Sequence, residues 1–222
     1  MTRTARGNAL FAGLLILIVG SAVVAVRALN GPQSLAATQP ASRPADKKRL
    51  AAEGRTARPV SPKSVKLGEL SEPWILVEKS DHRLTVCDGR RPVKTYRCAV
   101  GGGKGNKVRE GDRCTPEGVF YVCVKNPQSQ YTRALGLSYP NVEDARRGLR
   151  DGLIDGAEHD EIVKAIKRGT RPPWKTELGG EIMIHGNGAG RDWTAGCVAL
   201  DDDDILEVYA AIPLHTPVKI VP

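Results

Sequence analysis

The sequence predicts a mainly β domain, a β-sandwich of mixed sheets with a helical insertion, preceded by an N-terminal transmembrane helix and a flexible linker. Short β-branched runs follow one another from Trp74 onward and are separated by turn residues such as Asp88-Gly89. Helical periodicity appears between Asn141 and Trp174, and again after the acidic run at 201–204. Successive strands with short turns and few helices are typical of a sandwich or a closely related mixed-sheet fold.

The N-terminus has the features of an export segment. A short basic region is followed by an uncharged, mostly apolar run of eighteen residues at 9–26. As a helix this run spans about 27 Å, close to the thickness of a bilayer core, and the arginines before it favour translocation of everything after it. We therefore assign residues 1–29 to a short cytoplasmic N-terminus and a transmembrane anchor, with the rest in the periplasm or extracytoplasmic space. A cleaved signal peptide is the alternative, because residues 26–28 and 34–36 both satisfy a small-residue cleavage rule.

Residues 30–70 are rich in Pro, Ala, Ser, Lys and Arg and lack apolar periodicity, which is typical of a flexible tether. Of the net charge of +8, residues 1–29 carry +3 and residues 30–70 carry +5, so the domain at 71–222 is nearly neutral. A nucleic-acid-binding domain would need a basic patch on its folded part, so this class is excluded. The basic tether either lies against anionic lipids or wall polymers, or is simply solvated.

The strands of the domain come in order along the chain. They are predicted at residues 74–79, 83–87, 93–100, 119–124 and 217–221. If Asp88-Gly89 turns a hairpin, Cys87 faces Pro92 or Val93. The glycine-rich stretch at 101–107 is a loop that lacks the spacing of a phosphate-binding motif.

Two helices are predicted in the insertion and one near the C-terminus. Asn141 or Asp144 caps the first, and the second covers residues 155–167. The insertion precedes the strand that contains His185, so it either walls a cleft there or packs as a surface helix pair. Four consecutive aspartates at 201–204 favour a helix N-terminus, because adjacent side chains converge poorly on one ion; we therefore predict no metal site.

Five cysteines in an exported chain leave at least one thiol unpaired. Cys197 is the expected free thiol. The other four then form up to two disulfides with three possible connectivities: Cys87, Cys98, Cys114 and Cys123. No CxxC pair is present, which argues against zinc.

The strongest chemical signal is a histidine and a cysteine at the ends of two short apolar runs. His185 follows Ile182-Met183-Ile184, and Cys197 begins the second run after a glycine-rich connection. An imidazole beside a thiol generates a thiolate nucleophile. Gly196 allows a tight turn, and its N–H is a candidate donor to a developing oxyanion. The Gly186 carbonyl is our candidate for orienting the imidazole.

These residues also carry a family resemblance. A histidine, a glycine-rich gap and Thr-Ala-Gly-Cys at 194–197 resemble the catalytic motif of the YkuD-type L,D-transpeptidases. Residues 109–112, 115–120 and 138–141 are similar to further segments seen in that family, and the likeness extends over about 74–222.

The pattern departs from the family in three respects. Ala195 replaces a second histidine, Ala199 stands where many members have Arg or Asn, and the gap from His185 to Cys197 is twelve positions, which is shorter than usual. In the family, an Arg at this position would be expected to hold a substrate carboxylate. With Ala199 in its place, the resemblance does not specify which acceptor the enzyme uses.

The resemblance implies a YkuD-like β-sandwich and acyl transfer on peptidoglycan stem peptides, without a metal or an organic cofactor. Cys197 is the nucleophile and His185 the general base, while Thr194, Trp193 and Tyr139 are candidate substrate-binding residues. The products are a cross-link or a protein attached to the wall. The alternatives are a wall hydrolase (an L,D-carboxypeptidase or an amidase/endopeptidase) with the same Cys-His site, and a catalytically silent wall-binding domain.

Overall fold

The computed structural model describes residues 67–222, which contain eight strands and three helices. The elements are β1 (Pro73–Glu78), β2 (Arg83–Asp88), β3 (Arg91–Arg97), β4 (Gly118–Asn126), β5 (Ala134–Leu137), α1 (Val142–Arg150), α2 (Gly156–Lys167), β6 (Met183–His185), β7 (Val198–Ala199), α3 (Asp202–Ala211) and β8 (Pro217–Val221). The predicted anchor and most of the predicted linker lie outside the described residues. Within 67–222, no helix is both long and apolar enough to cross a bilayer.

The strands form one curled mixed sheet in the order β3-β2-β1-β8-β4-β5-β6-β7. β1 pairs with β8, and β6 with β7, in parallel, whereas the other neighbouring pairs are antiparallel. The mainly β, mixed character predicted from the sequence is confirmed. In place of the predicted β-sandwich of mixed sheets, the strand pairing gives one curled mixed sheet, because β4 pairs with both β8 and β5 and so joins the two groups of strands.

The two ends of this sheet approach each other next to the candidate site. Ala99, just after β3, exchanges two backbone hydrogen bonds of 2.9 and 2.8 Å with Ala199 of β7. The strand predicted at 93–100 therefore ends at Arg97, since the following residues leave β2 and pair with the β7 end. Cys87 lies opposite Pro92, as the hairpin prediction requires.

The main core is enclosed by the curled sheet and by α3. Ile205 and Val208 of α3 are fully buried against it, and Leu67 and Leu70, at the end of the predicted linker, pack on it. The other fully buried side chains include Ile75, Val77, Leu84, Val86, Val122, Leu135, Leu137, Ile184, Val198, Leu200 and Val218. β6 and β7 thus rest on a packed layer, which fixes the residues that flank it.

The helical insertion is confirmed, and both of its helices begin at capping boxes. Asn141 caps α1 together with Asp144, and Asp155 caps α2 together with Glu158. A second, small core holds the pair together: Ala145, Ile154, Ile162 and Leu178. The acidic run begins α3 at Asp202, as predicted.

The expected disulfides are not formed. All five cysteines, each within the described residues, are free thiols. They lie on separate segments with different neighbours: the Cys114 sulfur is 3.3 Å from the Lys104 carbonyl oxygen, and the Cys123 sulfur is 3.4 Å from that of Gly136.

Candidate active site

The strands β6 and β7 bring Cys197 and His185 to the same face of the sheet. Their parallel register pairs Ile184 with Val198, and both of these side chains belong to the core. Because side chains alternate along a strand, the residues on either side of them point to the opposite face. The thiol and the imidazole are therefore diagonal neighbours on that face.

The Cys197 sulfur makes its contacts within the backbone of the β6 segment. It lies 3.4 Å from the Met183 amide nitrogen and 3.6 Å from the Glu181 carbonyl oxygen. Among residues 67–222, no hydrogen bond joins the sulfur to the ring of His185. The structure therefore places His185 at the end of β6 and Cys197 directly before β7, without a hydrogen bond between their side chains.

The imidazole of His185 is oriented by a backbone carbonyl and by two aromatic rings. Nδ1 lies 2.7 Å from the Gly186 carbonyl oxygen, the partner expected from the sequence. A carbonyl oxygen only accepts, so Nδ1 carries the proton and Nε2 is the basic nitrogen. Tyr131 stacks on the ring at 4.5 Å between centroids, and Trp193 meets it edge-on at 5.6 Å.

Burial acts on both members of the pair and favours their neutral forms. It lowers the pKa of His185 below the ordinary value of 6.5, against a raising effect of the Gly186 hydrogen bond. It raises the pKa of the Cys197 thiol above 9.0, and the Met183 N–H and the Lys107 ammonium offset only part of that. The resting site therefore holds a thiol and a neutral imidazole rather than an ion pair.

The turn before Cys197 is closed by the hydroxyl of Thr194. This hydroxyl donates to the Cys197 carbonyl oxygen at 2.7 Å and accepts the Gly196 N–H at 3.2 Å. The proposed oxyanion role of Gly196 is therefore corrected, since its N–H is already engaged. Thr194 is 3% exposed and shapes the turn, so its assignment to substrate binding is corrected as well.

Glycine is required at position 196 by the backbone. Its φ is +136°, and a Cβ there would lie 2.8 Å from the Cys114 carbonyl oxygen and 3.1 Å from Cδ1 of Ile182. Only a residue without a side chain fits this turn at low cost.

Cys197 lies at a cleft of about 770 Å³ whose walls come largely from the segments around the insertion. Its lining residues are Lys107, Glu110, Gly111, Glu158, Trp174, Lys175, Thr176, Glu177, Gly179, Gly180, Glu181, Ile182, Ala195 and Cys197. Glu158 belongs to α2, and residues 174–182 connect the insertion to β6. Of the two roles considered for the insertion, the walling of the cleft is therefore the one observed, and its helices also pack on each other.

The two aromatic candidates lie elsewhere. Tyr139 is fully buried, its hydroxyl donates to the Leu178 carbonyl oxygen at 3.0 Å, and its ring packs edge-on against Phe120. Its assignment as a wall of the substrate groove is therefore wrong, and it is a core residue. Trp193 packs on His185 and is not among the cleft-lining residues, and its role toward substrate stays a prediction.

Sequence reasoning missed Tyr131 and a pair of anchors for the loop after His185. The Asp202 carboxylate accepts the Asn187 N–H at 2.9 Å, and Asp201 accepts the Ala189 N–H at 3.0 Å. No local sequence pattern predicts these hydrogen bonds, because the residues that they join are twelve to fifteen positions apart. The first two aspartates of the acidic run therefore both begin α3 and hold the active-site loop.

Lys107 is a second residue that the sequence did not single out. It is 3% exposed, and its ammonium lies 2.9 Å from both the Asp112 carboxylate and the Arg109 carbonyl oxygen. Burial alone would raise the pKa of Asp112, but the backbone N–H groups and the ammonium that it accepts lower it. Within 67–222, no three His, Cys, Asp or Glu side chains are arranged as metal ligands.

Known structures resemble this chain at low identity. The helical cell shape determining protein Pgp2 from Campylobacter jejuni is 24% identical with a TM-score of 0.47, and covers 72% of this chain and 51% of its own. Bd1075 from Bdellovibrio bacteriovorus is 23% identical with a TM-score of 0.45, over 70% of this chain and 51% of its own. The L,D-transpeptidase from Xylanimonas cellulosilytica is 15% identical with a TM-score of 0.41, over 70% and 63%. The chain thus spans about half to two thirds of the length of these proteins. A comparison with curated protein sequences found no match.

Sequence comparison with protein families identifies the domain. The family model of the L,D-transpeptidase catalytic domain, YkuD, matches residues 72–220, about two thirds of the chain and nearly all of its described part. Those residues include all of the curled sheet except the last residue of β8, together with the helical insertion, His185 and Cys197. The chain belongs to the YkuD family of L,D-transpeptidase catalytic domains.

Proposed function

We propose that this protein is a cysteine-dependent acyl transferase that acts on peptidoglycan stem peptides. The observation that carries the proposal is that the partly exposed Cys197 lies at the cleft, directly before β7 and next to the strand that ends in His185. The Gly186 carbonyl holds the proton on Nδ1 of His185 and so leaves Nε2 as the basic nitrogen. Membership of the L,D-transpeptidase family supports the choice of substrate.

The first half-reaction forms an acyl-enzyme. The Cys197 sulfur attacks the carbonyl carbon of the diamino acid in the stem tetrapeptide while Nε2 of His185 takes the thiol proton. The C–N bond to the terminal D-alanine then breaks, and His185 returns the proton to the leaving amine. Because no hydrogen bond joins the two groups in the resting site, this step requires a side-chain movement that brings Nε2 to the sulfur when substrate binds.

Of the backbone N–H groups of Gly196 and Cys197, both of which the sequence offers as oxyanion donors, we propose that of Cys197. The Gly196 N–H is held by Thr194, whereas within residues 67–222 the Cys197 N–H donates to no acceptor. A backbone N–H of the nucleophile lies close to the attacked carbonyl, which is the geometry that such stabilisation requires.

The second half-reaction transfers the acyl group to an amine. The amine of a second stem, or of a wall-attached protein, attacks the thioester carbonyl, the C–S bond breaks, and the proton passes through His185 to the sulfur. The products are a new amide bond and the free thiol.

Hydrolysis is the second candidate, and Ala199 favours it. This residue is fully buried and pairs with Ala99, so position 199 offers no charge for holding an acceptor. Water in place of the amine gives a trimmed stem with a free carboxylate.

The activity requires a location outside the cytoplasmic membrane. We propose that the run at 9–26 anchors the chain there, with the catalytic domain in the periplasm or extracytoplasmic space.

Purified disaccharide-tetrapeptide incubated with the full chain tests the function. Mass spectrometry is expected to show dimers that have lost one D-alanine; trimmed monomers would establish the hydrolase instead. Unchanged substrate with the wild-type chain would contradict both. The Cys197→Ala variant is expected to be inactive, and full activity in it would remove the nucleophile assignment.

A further inference from the structure

The lining of the cleft beside Cys197 is predominantly acidic. Four glutamates face two lysines there: Glu110, Glu158, Glu177 and Glu181 against Lys107 and Lys175. The charge of Lys107 is already matched, since its ammonium contacts the Asp112 carboxylate. The cleft therefore carries an excess of negative charge.

Three of these carboxylates are available to a ligand. Glu110, Glu177 and Glu181 are exposed, and within residues 67–222 none of them lies within ion-pair distance of a basic side chain. Glu158 differs, because its carboxylate accepts the Asp155 N–H at the start of α2. A cationic group that enters the cleft thus meets carboxylates without competing partners.

A second, independent feature marks the same cleft as a binding site. Thr176 lines it, and the hydroxyl of this residue is buried and has no hydrogen-bond partner within the described residues. Thr176 is 8% exposed. Buried polar groups are normally paired, so the Thr176 hydroxyl can take a partner that a ligand supplies. A hydroxyl donates to a carbonyl or carboxylate oxygen, so an oxygen atom of the ligand can be that partner.

The segments that carry Glu110 and Glu177 are held together by a backbone hydrogen bond. The Glu110 N–H donates to the Glu177 carbonyl oxygen at 2.8 Å. Gly179, with φ of +80°, lies so close to Glu110 that a Cβ there would sit 3.3 Å from its Cα. The backbone that carries these two glutamates is therefore held in place before a ligand binds, which lowers the cost of binding.

The ligand that fits bears an ammonium group near a carbonyl or carboxylate oxygen. Carboxylates stabilise the protonated amine, so a group held here is a poor nucleophile and is not the attacking amine. We propose that the cleft recognises a free side-chain ammonium on the donor stem, an inference that rests on the proposed function. The enzyme thereby selects donors whose diamino acid amine has not been acylated.

Two synthetic donor tetrapeptides test this, identical except that the side-chain amine is free in one and N-acetylated in the other. Release of D-alanine by the full chain gives kcat/KM for each. The free-amine donor is expected to be preferred at least about tenfold, and the preference is expected to shrink as salt rises. The triple variant Glu110→Gln, Glu177→Gln, Glu181→Gln is expected to bring the ratio close to one.

Glu161→Gln is the matched control, because Glu161 is exposed on α2 and lies outside this cleft; its ratio is expected to equal that of the wild type. Equal turnover of both donors by the wild-type chain would overturn the selectivity and leave the proposed function intact. Failure to process either donor would instead count against the proposed function. If the triple variant does not fold, a salt-independent preference in the wild type overturns the charge-based recognition.

Discussion

The phenol ring of Tyr131 lies nearly parallel to the imidazole of His185, with an interplanar angle of 26°. The Tyr131 carbonyl oxygen also accepts the N–H of Gly186 at 3.0 Å, next to the carbonyl that holds Nδ1. One residue thus supports both the ring and the backbone that orients it. The stack keeps the plane of the imidazole ring nearly parallel to that of the phenol ring.

Replacement of Tyr131 by alanine is expected to lower kcat about fivefold, because an aromatic contact of this kind contributes about 1 kcal/mol to holding the ring. Tyr131→Phe keeps the stack and the backbone contact and is expected to retain most of the activity. D-alanine release measured for both variants checks this. Equal losses in the two variants would show that the hydroxyl matters rather than the stack.

The protonation states of the Cys-His pair lead to a prediction about pH. Burial lowers the pKa of His185, and the imidazole accepts a proton only when neutral, so kcat/KM is expected to fall on the acid side only below pH 6.5. Burial raises the pKa of Cys197, so its alkylation by iodoacetamide in the free enzyme is expected to keep rising through pH 9.

Peptide mapping by mass spectrometry follows Cys197 separately from the other thiols. Cys123 is an internal control, because burial raises the pKa of its thiol to about 11. A plateau in the alkylation of Cys197 near pH 7 would indicate a preformed thiolate and contradict the neutral resting pair.

The backbone at position 196 leads to a prediction about stability. Gly196→Ala combines a left-handed φ with a Cβ 2.8 Å from the Cys114 carbonyl oxygen, and is expected to cost about 2 kcal/mol or more. Gly190→Ala is the matched control in the same loop, since a Cβ there meets no atom within 4 Å. Urea unfolding measures both, and similar midpoints for the two variants would refute the steric argument.

Local signals predicted much of this fold because they are encoded over a few residues. Asp88-Gly89 specifies a hairpin whose register puts Cys87 opposite Pro92, and Asn141 and Asp155 each supply a cap at the start of a helix. The His185 run and the Cys197 run were likewise read as strands, and β6 and β7 are the result.

The errors concern hydrogen bonds and strand pairings that form only when the chain has folded, and no sequence pattern records them. The hydroxyl of Tyr139 reaches a carbonyl oxygen 39 positions away, so an aromatic that looked suited to a groove belongs to the core. The Gly196 N–H was expected to be free, but the nearby Thr194 hydroxyl accepts it once the turn closes. The curled sheet rather than a sandwich follows from β4 pairing on both sides, which depends on the whole chain.

The anchoring of the active-site loop by α3 leads to the last prediction. The Asp202 carboxylate accepts hydrogen bonds from the Thr132 hydroxyl at 2.6 Å and from the Asn187 N–H at 2.9 Å, and these lower its pKa. Asp202→Asn is expected to reduce the free energy of unfolding by about 1 kcal/mol at pH 7 and to lower kcat, because the loop after His185 loses its anchor. Asp203→Asn, on an exposed neighbour in the same turn, is the control and is expected to change neither.

The pH dependence of this effect distinguishes an anchoring carboxylate from a general charge effect on α3. The pKa of Asp202 is lower in the folded state than in the unfolded chain, where it is about 3.9. Its contribution to stability is therefore fully present above that unfolded value and is lost as the pH falls through the folded pKa. The free energies of unfolding of the wild type and of Asp202→Asn, measured with urea, should thus differ by a constant amount above about pH 5. The difference should begin to shrink as the pH falls below about 4. A difference that persists unchanged into acid would mean that the ionised carboxylate is not what holds the loop.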